Sequence, residues 1–135
     1  MITNLGLFFL VANLVAGCTT TKRDLSVAPE LLSASGTVKS SPLEHNNKKI
    51  LIDVKNLAKP EKAQPGASVY VVWVQPFELP GAPPQNIGRF NVNDDLNAEF
   101  SSSTSHQKFD VFVTAEPSGE SVSPSGKKAL WARIE

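Results

Sequence analysis

Val69-Tyr70-Val71-Val72-Trp73-Val74 is the stretch that decides the fold. Every residue in it is β-branched or aromatic, the side chains that fit a pleated surface. Both alternating faces are apolar, as in a central strand covered on both sides. Pro76 stops it, because proline has no N–H to give to a sheet ladder.

Working outward, the chain reads as more strands divided by turn chemistry. Upstream, Pro60 and Pro65-Gly66 break the chain, and before them Ile50, Ile52 and Val54 alternate with Leu51, Asp53 and Lys55. Ala34 to Val38 is a weaker strand candidate. Downstream, Leu79-Pro80-Gly81-Ala82-Pro83-Pro84 reads as a loop. Ile87–Val92 and Leu96–Phe100 flank Asn93-Asp94-Asp95 and read as a hairpin, since Asn and Asp tolerate tight-turn angles. Ser101 to Ser105 reads as a loop, Phe109 to Ala115 as an alternating strand, Pro117 to Gly126 as a loop, and Ala129 to Ile134 as the last strand.

About seven short strands and no amphipathic helix predict an all-β fold. The expected architecture is a single antiparallel β-sandwich, Ig-like in general layout. The expected core is Ile50, Ile52, Val54, Val71, Trp73, Phe90, Val92, Leu96, Phe100, Val111, Val113 and Trp131. Lys48-Lys49 and Lys127-Lys128 stand at strand starts, where charge discourages edge-to-edge association.

Composition narrows the function. The chain has 135 residues, room for one domain, with 13 Lys and Arg against 13 Asp and Glu. Zero net charge leaves no footprint for nucleic acid. One cysteine excludes an intramolecular disulfide, and two histidines leave little for a zinc site.

Residues 1–17 carry no charged side chain, and Leu5 to Ala16 is an apolar run broken only by Gly6 and Asn13. Twelve residues are too few to span a bilayer, which needs about 20, but suit the core of a secretory signal peptide. The positive stretch that ordinarily precedes such a run is absent. The run ends in Val15-Ala16-Gly17-Cys18, which resembles the lipobox of bacterial lipoproteins. That resemblance implies a signal peptide over 1–17, with Val15, Ala16 and Gly17 read by the signal peptidase. It also implies a diacylglycerol and an N-acyl chain on Cys18, with no other cofactor. Several acyl chains anchor firmly, each buried methylene contributing about 0.8 kcal/mol. The competing reading is a hydrophobic N-terminal strand or helix with a buried free thiol. Thr19 after the cysteine is similar to an outer-membrane address. Residues 18–30 read as the lipidated terminus and a polar tether, and 31–135 as the β-domain.

The region from Tyr70 onward resembles the extracytoplasmic C-terminal domain of anti-sigma-K factors. The pieces that carry the resemblance are, in order, Tyr70-Val71-Val72-Trp73-Val74, Asn86-Ile87-Gly88-Arg89-Phe90, the run from Phe109 to Pro117, and Pro124-Ser125-Gly126 followed by Leu130-Trp131-Ala132. It implies the β-sandwich. In that family a helical sigma-binding domain and a transmembrane helix come first. About 30 residues precede the β-region here, without either part.

Other candidate sites each have a plainer alternative. Tyr70, Trp73 and Trp131 could line an aromatic surface or pack in the core. Thr114 with Glu116-Pro117 reads as a functional turn or as a strand end before proline. Asn91, Asn93, Asp94, Asp95 and Asn97 offer oxygens to a calcium ion or form a turn, without the calcium-loop pattern. Ser101 to Ser105 precede His106, but no nucleophile elbow or Ser-x-x-Lys motif is present. The expectation is a lipid-anchored, non-enzymatic binding or structural module of the bacterial envelope. It would be held to the membrane by its lipid, with an envelope protein as partner. The alternatives are an accessory of an anti-sigma system and a hydrolase.

Overall fold

The computed structural model describes residues 19–135. The expectations for Val15, Ala16, Gly17 and Cys18, and for the signal peptide, lie outside the described residues. Two antiparallel sheets face each other across one core. Nine strands form them: β1 (Thr21–Asp24), β2 (Ser26–Val27), β3 (Ser35–Pro42), β4 (Lys48–Lys55), β5 (Val69–Gln75), β6 (Gln85–Phe90), β7 (Ala98–Thr104), β8 (Phe109–Glu116) and β9 (Lys128–Ile134). One sheet has the order β1-β3-β4-β7 and the other β2-β9-β8-β5-β6. The only α-helix among the described residues is the single turn α1 (Pro60–Ala63).

All seven expected strands are present, and the all-β sandwich stands. The alternation rule works where one face is dry. Ile50, Ile52 and Val54 of β4 point into the core while Leu51, Asp53 and Lys55 face out. The central strand β5 is buried on both faces, between β8 and β6. Tyr70, Val72 and Val74 enter the main core, while Val71 and Trp73 build a second apolar cluster with Phe112 on the outer side.

Five expectations are corrected. The tether is shorter than expected. Thr21–Asp24 pairs with β3, Ser26–Val27 pairs with β9, and Leu25 between them is buried. Edge pairing and one buried leucine order a segment whose polar composition gives no local signal.

The expected hairpin at Asn93-Asp94-Asp95 is a crossing between sheets: β6 lies in one and β7 in the other. The turn itself is present. Asn93 Oδ1 accepts from the amides of Asp95 and Asn97, and Leu96 takes φ 63°. Its arms pack face to face, Phe90 against Phe100 at 6.3 Å between ring centres. Gly88 makes room for this, because a Cβ there would lie 3.0 Å from the Phe100 ring.

Ser101–Ser105 is not a free loop: Ser101 to Thr104 belong to β7 and pair with Lys48 to Leu51. Lys48-Lys49 does not guard an edge, since β4 is flanked on both sides. Leu96 and Trp131 leave the core list, at 38% and 36% exposed. Trp131 alternates with the buried Leu130 and so faces away from the core. Val71 and Trp73 are buried in the outer cluster, and the other expected core residues are buried in the main core or packed against it.

Candidate functional site

The outer face of the five-stranded sheet carries a buried polar network. Trp73 on β5 and Thr114 on β8 are diagonal neighbours, since Trp73 pairs with Phe112 and Val71 with Thr114. Trp73 Nε1–H donates to Thr114 Oγ1 at 2.8 Å. Thr114 Oγ1–H then donates to Glu116 Oε2 at 2.6 Å. Glu116 also accepts from the Ser125 hydroxyl at 2.5 Å and from the amides of Ser125 and Gly126 at 3.1 Å. Both Thr114 and Glu116 have no exposed surface.

A buried carboxylate is costly unless it is hydrogen-bonded. Here burial pushes the Glu116 carboxyl up, but the Ser125 and Thr114 hydroxyls and the Gly126 and Ser125 amides outweigh it. They hold the carboxyl below its ordinary value. The charge is thus stabilised by neutral donors that all come from β8 itself and from the loop after it. Chemically this is a clamp: it ties residues 117–126 down across the strand end.

A second fastening lies further along the same loop. Asn86 on β6 donates through Nδ2 to the carbonyls of Gly119 and Ser121, both at 3.0 Å. Its Oδ1 accepts from the Gly88 amide at 2.9 Å. The loop so held is fastened to the neighbour of Trp73, since Asn86 pairs with Trp73 across β6 and β5, and the second cluster lies beside it. Trp73 stacks on Phe112 with ring centres 6.5 Å apart, and Lys128 Nζ lies 4.6 Å from the Phe112 ring centre. Trp131, next on the same face, stays in solvent.

Beside this loop an open groove of ≈ 580 Å³ is lined by Leu79, Pro83, Pro84, Asn86, His106 and Val122. Leu79 and Val122 are 58% and 90% exposed, the largest apolar exposures of this end of the sheet. Rigid prolines and exposed aliphatic side chains make it a surface suited to contact with another molecule.

The structure divides the sequence candidates. Tyr70 is in the main core, with its hydroxyl donating to the Ala58 carbonyl at 2.6 Å. Trp73 is in the outer cluster and Trp131 is exposed, so the three aromatics make no common surface. Thr114 and Glu116 do come together, in the clamp. The Asn91–Asn97 segment is a turn whose Asn93 oxygen is taken by backbone amides, while Asp94 lies 3.9 Å from Lys59. Among the described residues, no group of three His, Cys, Asp or Glu could hold a metal ion. Ser101 and Ser103 lie on the exposed face of the four-stranded sheet, and His106 lines the groove. Their segment meets His106 through Thr104 Oγ1, which accepts from the His106 backbone amide at 3.2 Å.

Ser125, Gly126 and Asn86 were missed as a set. A Pro-Ser-Gly turn that begins eight residues after Glu116 of the Glu116-Pro117 pair is the one local signal that could have pointed to the first two. Among the described residues no helix is long and apolar enough to cross a membrane. No family model, curated protein or solved structure matches the chain.

Proposed function

We propose that this chain is a lipid-anchored protein of the bacterial envelope whose β-sandwich is a non-enzymatic binding or structural module. The observation that carries it is Val15-Ala16-Gly17-Cys18, with the only cysteine of the chain ending its one charge-free apolar run. A thiol placed there is the atom that takes a thioether-linked lipid. The sandwich supports the second half of the reading. Its clamped loop and the groove beside it form a fixed surface of the kind used for contact with a partner. Thr19 favours an outer-membrane destination, facing the periplasm.

The test is fractionation of the wild type and of Cys18→Ser, with mass spectrometry of the N-terminal peptide. Lipid on Cys18 and release of the variant from membranes support the reading. An unmodified Cys18, with both proteins fractionating alike, overturns it.

A second reading is an accessory role in an anti-sigma or envelope-stress system. One observation favours it: the pieces Trp73, Thr114-Ala115-Glu116 and Ser125-Gly126 converge on one hydrogen-bonded network. They are pieces of the resemblance to the anti-sigma-K C-terminal domain. Crosslinking in the intact envelope with identification of the captured protein separates the two. An anti-sigma or sensor protein supports the second reading, and a structural envelope component supports the first.

A further inference from the structure

The outer face of the four-stranded sheet sorts its charges by row. Lys49 lies between Ser41 and Ser103, in the row nearest the N-terminal end of β1. In the next row Lys22 is directly opposite Lys39, followed by Leu51 and Ser101. The row after that holds Asp24, Thr37, Asp53 and Glu99. Three lysines scattered over 28 positions of sequence are thus gathered at one end, with three carboxylates behind them and Lys55 beyond those at the far end.

Like charges directly opposite across two strands are destabilising. Lys22 and Lys39 are such a pair, and none of the three lysines takes part in an ion pair among the described residues. Lys22 is also four residues from Cys18. A fully extended chain spans at most about 3.6 Å per residue, so their Cα atoms lie within about 14 Å. A lipid on Cys18 would therefore keep this end of the sandwich close to the membrane.

We propose that the lysine end of this face docks on the anionic headgroups of the bilayer that holds the anchor. This rests on the lipid-anchor reading. The charge order also selects the pose. Successive rows are about 7 Å apart, close to the 8 Å screening length at physiological ionic strength. A domain standing on its lysine end brings Lys22, Lys39 and Lys49 to the headgroups and keeps Asp24, Asp53 and Glu99 back. A domain lying flat on this face would press the carboxylates onto anionic lipid. The Leu43–Asn47 connection between β3 and β4 stands at the same end, with Leu43 at 43% exposed and one exposed carboxylate, Glu44, against the three lysines. It therefore meets the interface with the lysines.

The test uses the full chain purified from bacterial membranes, with its N-terminal modification read by mass spectrometry. The protein is reconstituted in vesicles of phosphatidylcholine, with and without phosphatidylglycerol, and followed by hydrogen exchange. The expected result is slower exchange of Leu43–Asn47 on the anionic vesicles, by about five-fold for each lysine engaged. High salt, or the pair Lys39→Glu and Lys49→Glu, removes the difference while exchange on phosphatidylcholine stays unchanged. Equal exchange on both vesicles, with lipid present on Cys18, overturns the docking and leaves the anchor standing. Protection that follows protein density instead of lipid charge also overturns it, in favour of a second copy. Absence of lipid on Cys18 overturns both.

Discussion

Trp73 and Thr114 meet across two strands on the side of the sheet that faces away from the core, the indole N–H donating to the threonine hydroxyl at 2.8 Å. A tryptophan buried on an outer face needs both a cover and a partner for its N–H. The loop after β8 is fastened at Asn86, the pairing neighbour of Trp73, which places it to give that cover, and Thr114 relays the polar demand to Glu116, which holds that same loop. Cover and partner are therefore one device, and loss of either exposes the other.

Thr114→Val keeps the shape and deletes the relay. It leaves the indole N–H without an acceptor and takes one donor from a buried carboxylate. Hydrogen bonds to charged groups contribute about 1.5–3 kcal/mol, so a loss of about 2 kcal/mol is expected in urea unfolding. Trp73 emission should shift to the red in a Trp131→Phe background, where it is the only tryptophan. An unchanged midpoint and spectrum would remove the relay from the account.

Glu116 makes stability depend on acid. Its folded value lies below its ordinary value of 4.5, so the unfolded chain binds the proton more readily. The contribution is fully present above the unfolded value and is lost as pH falls through the folded one. Denaturant midpoints should hold steady near neutrality and decline below about pH 4.5. Glu116→Gln should be less stable at neutral pH and show a shallower acid decline. Parallel acid limbs in the two proteins would mean that another carboxylate sets this dependence.

Tyr70 does the reverse at high pH. Burial, with a smaller push from Glu61, raises its hydroxyl from 10.0 to about 12. The neutral phenol is the favoured folded form. Its contribution is present below the unfolded value and is lost as pH rises through the folded one. It is the only tyrosine, so phenolate absorbance reports it without overlap. The folded protein should titrate near 12 and the urea-unfolded chain near 10. Tyr70→Phe, which leaves the Ala58 carbonyl without its donor, should cost about 1 kcal/mol. A folded-state titration near 10 would contradict the burial of this hydroxyl.

What could be read from sequence follows from where the physics is local. Alternation in β4 and β8 marks which residues meet the core, and those assignments hold for Ile50, Ile52 and Val111. The Asn93 turn was also legible, because its side chain bonds its own backbone. Which sheet each arm joins is decided by distant pairing, so β6 and β7 part at a turn that looks like a hairpin. Strands β1 and β2 are too short and polar to announce themselves; their order comes from β3 and β9. The clamp was visible only as Glu-Pro and Pro-Ser-Gly fragments, since nothing in either fragment states that the two meet.

Gly126→Ala probes how tightly the clamped loop is seated. A Cβ there would lie 2.6 Å from the Ala115 carbonyl oxygen and 2.8 Å from Gln64 Oε1. The Gln64 side chain can swing aside, but the carbonyl belongs to the centre of the sheet and cannot. The loop must then lift, drawing the Gly126 and Ser125 amides away from Glu116. Overpacking of this kind costs about 1–3 kcal/mol, and the acid dependence should move toward that of Glu116→Gln. Gly119→Ala makes the useful contrast, because the nearest atoms its Cβ would meet all belong to the flexible Arg89 side chain, which is exposed. That variant should stay within about 0.5 kcal/mol of wild type. Equal losses at the two glycines would mean that the loop is not held at Glu116.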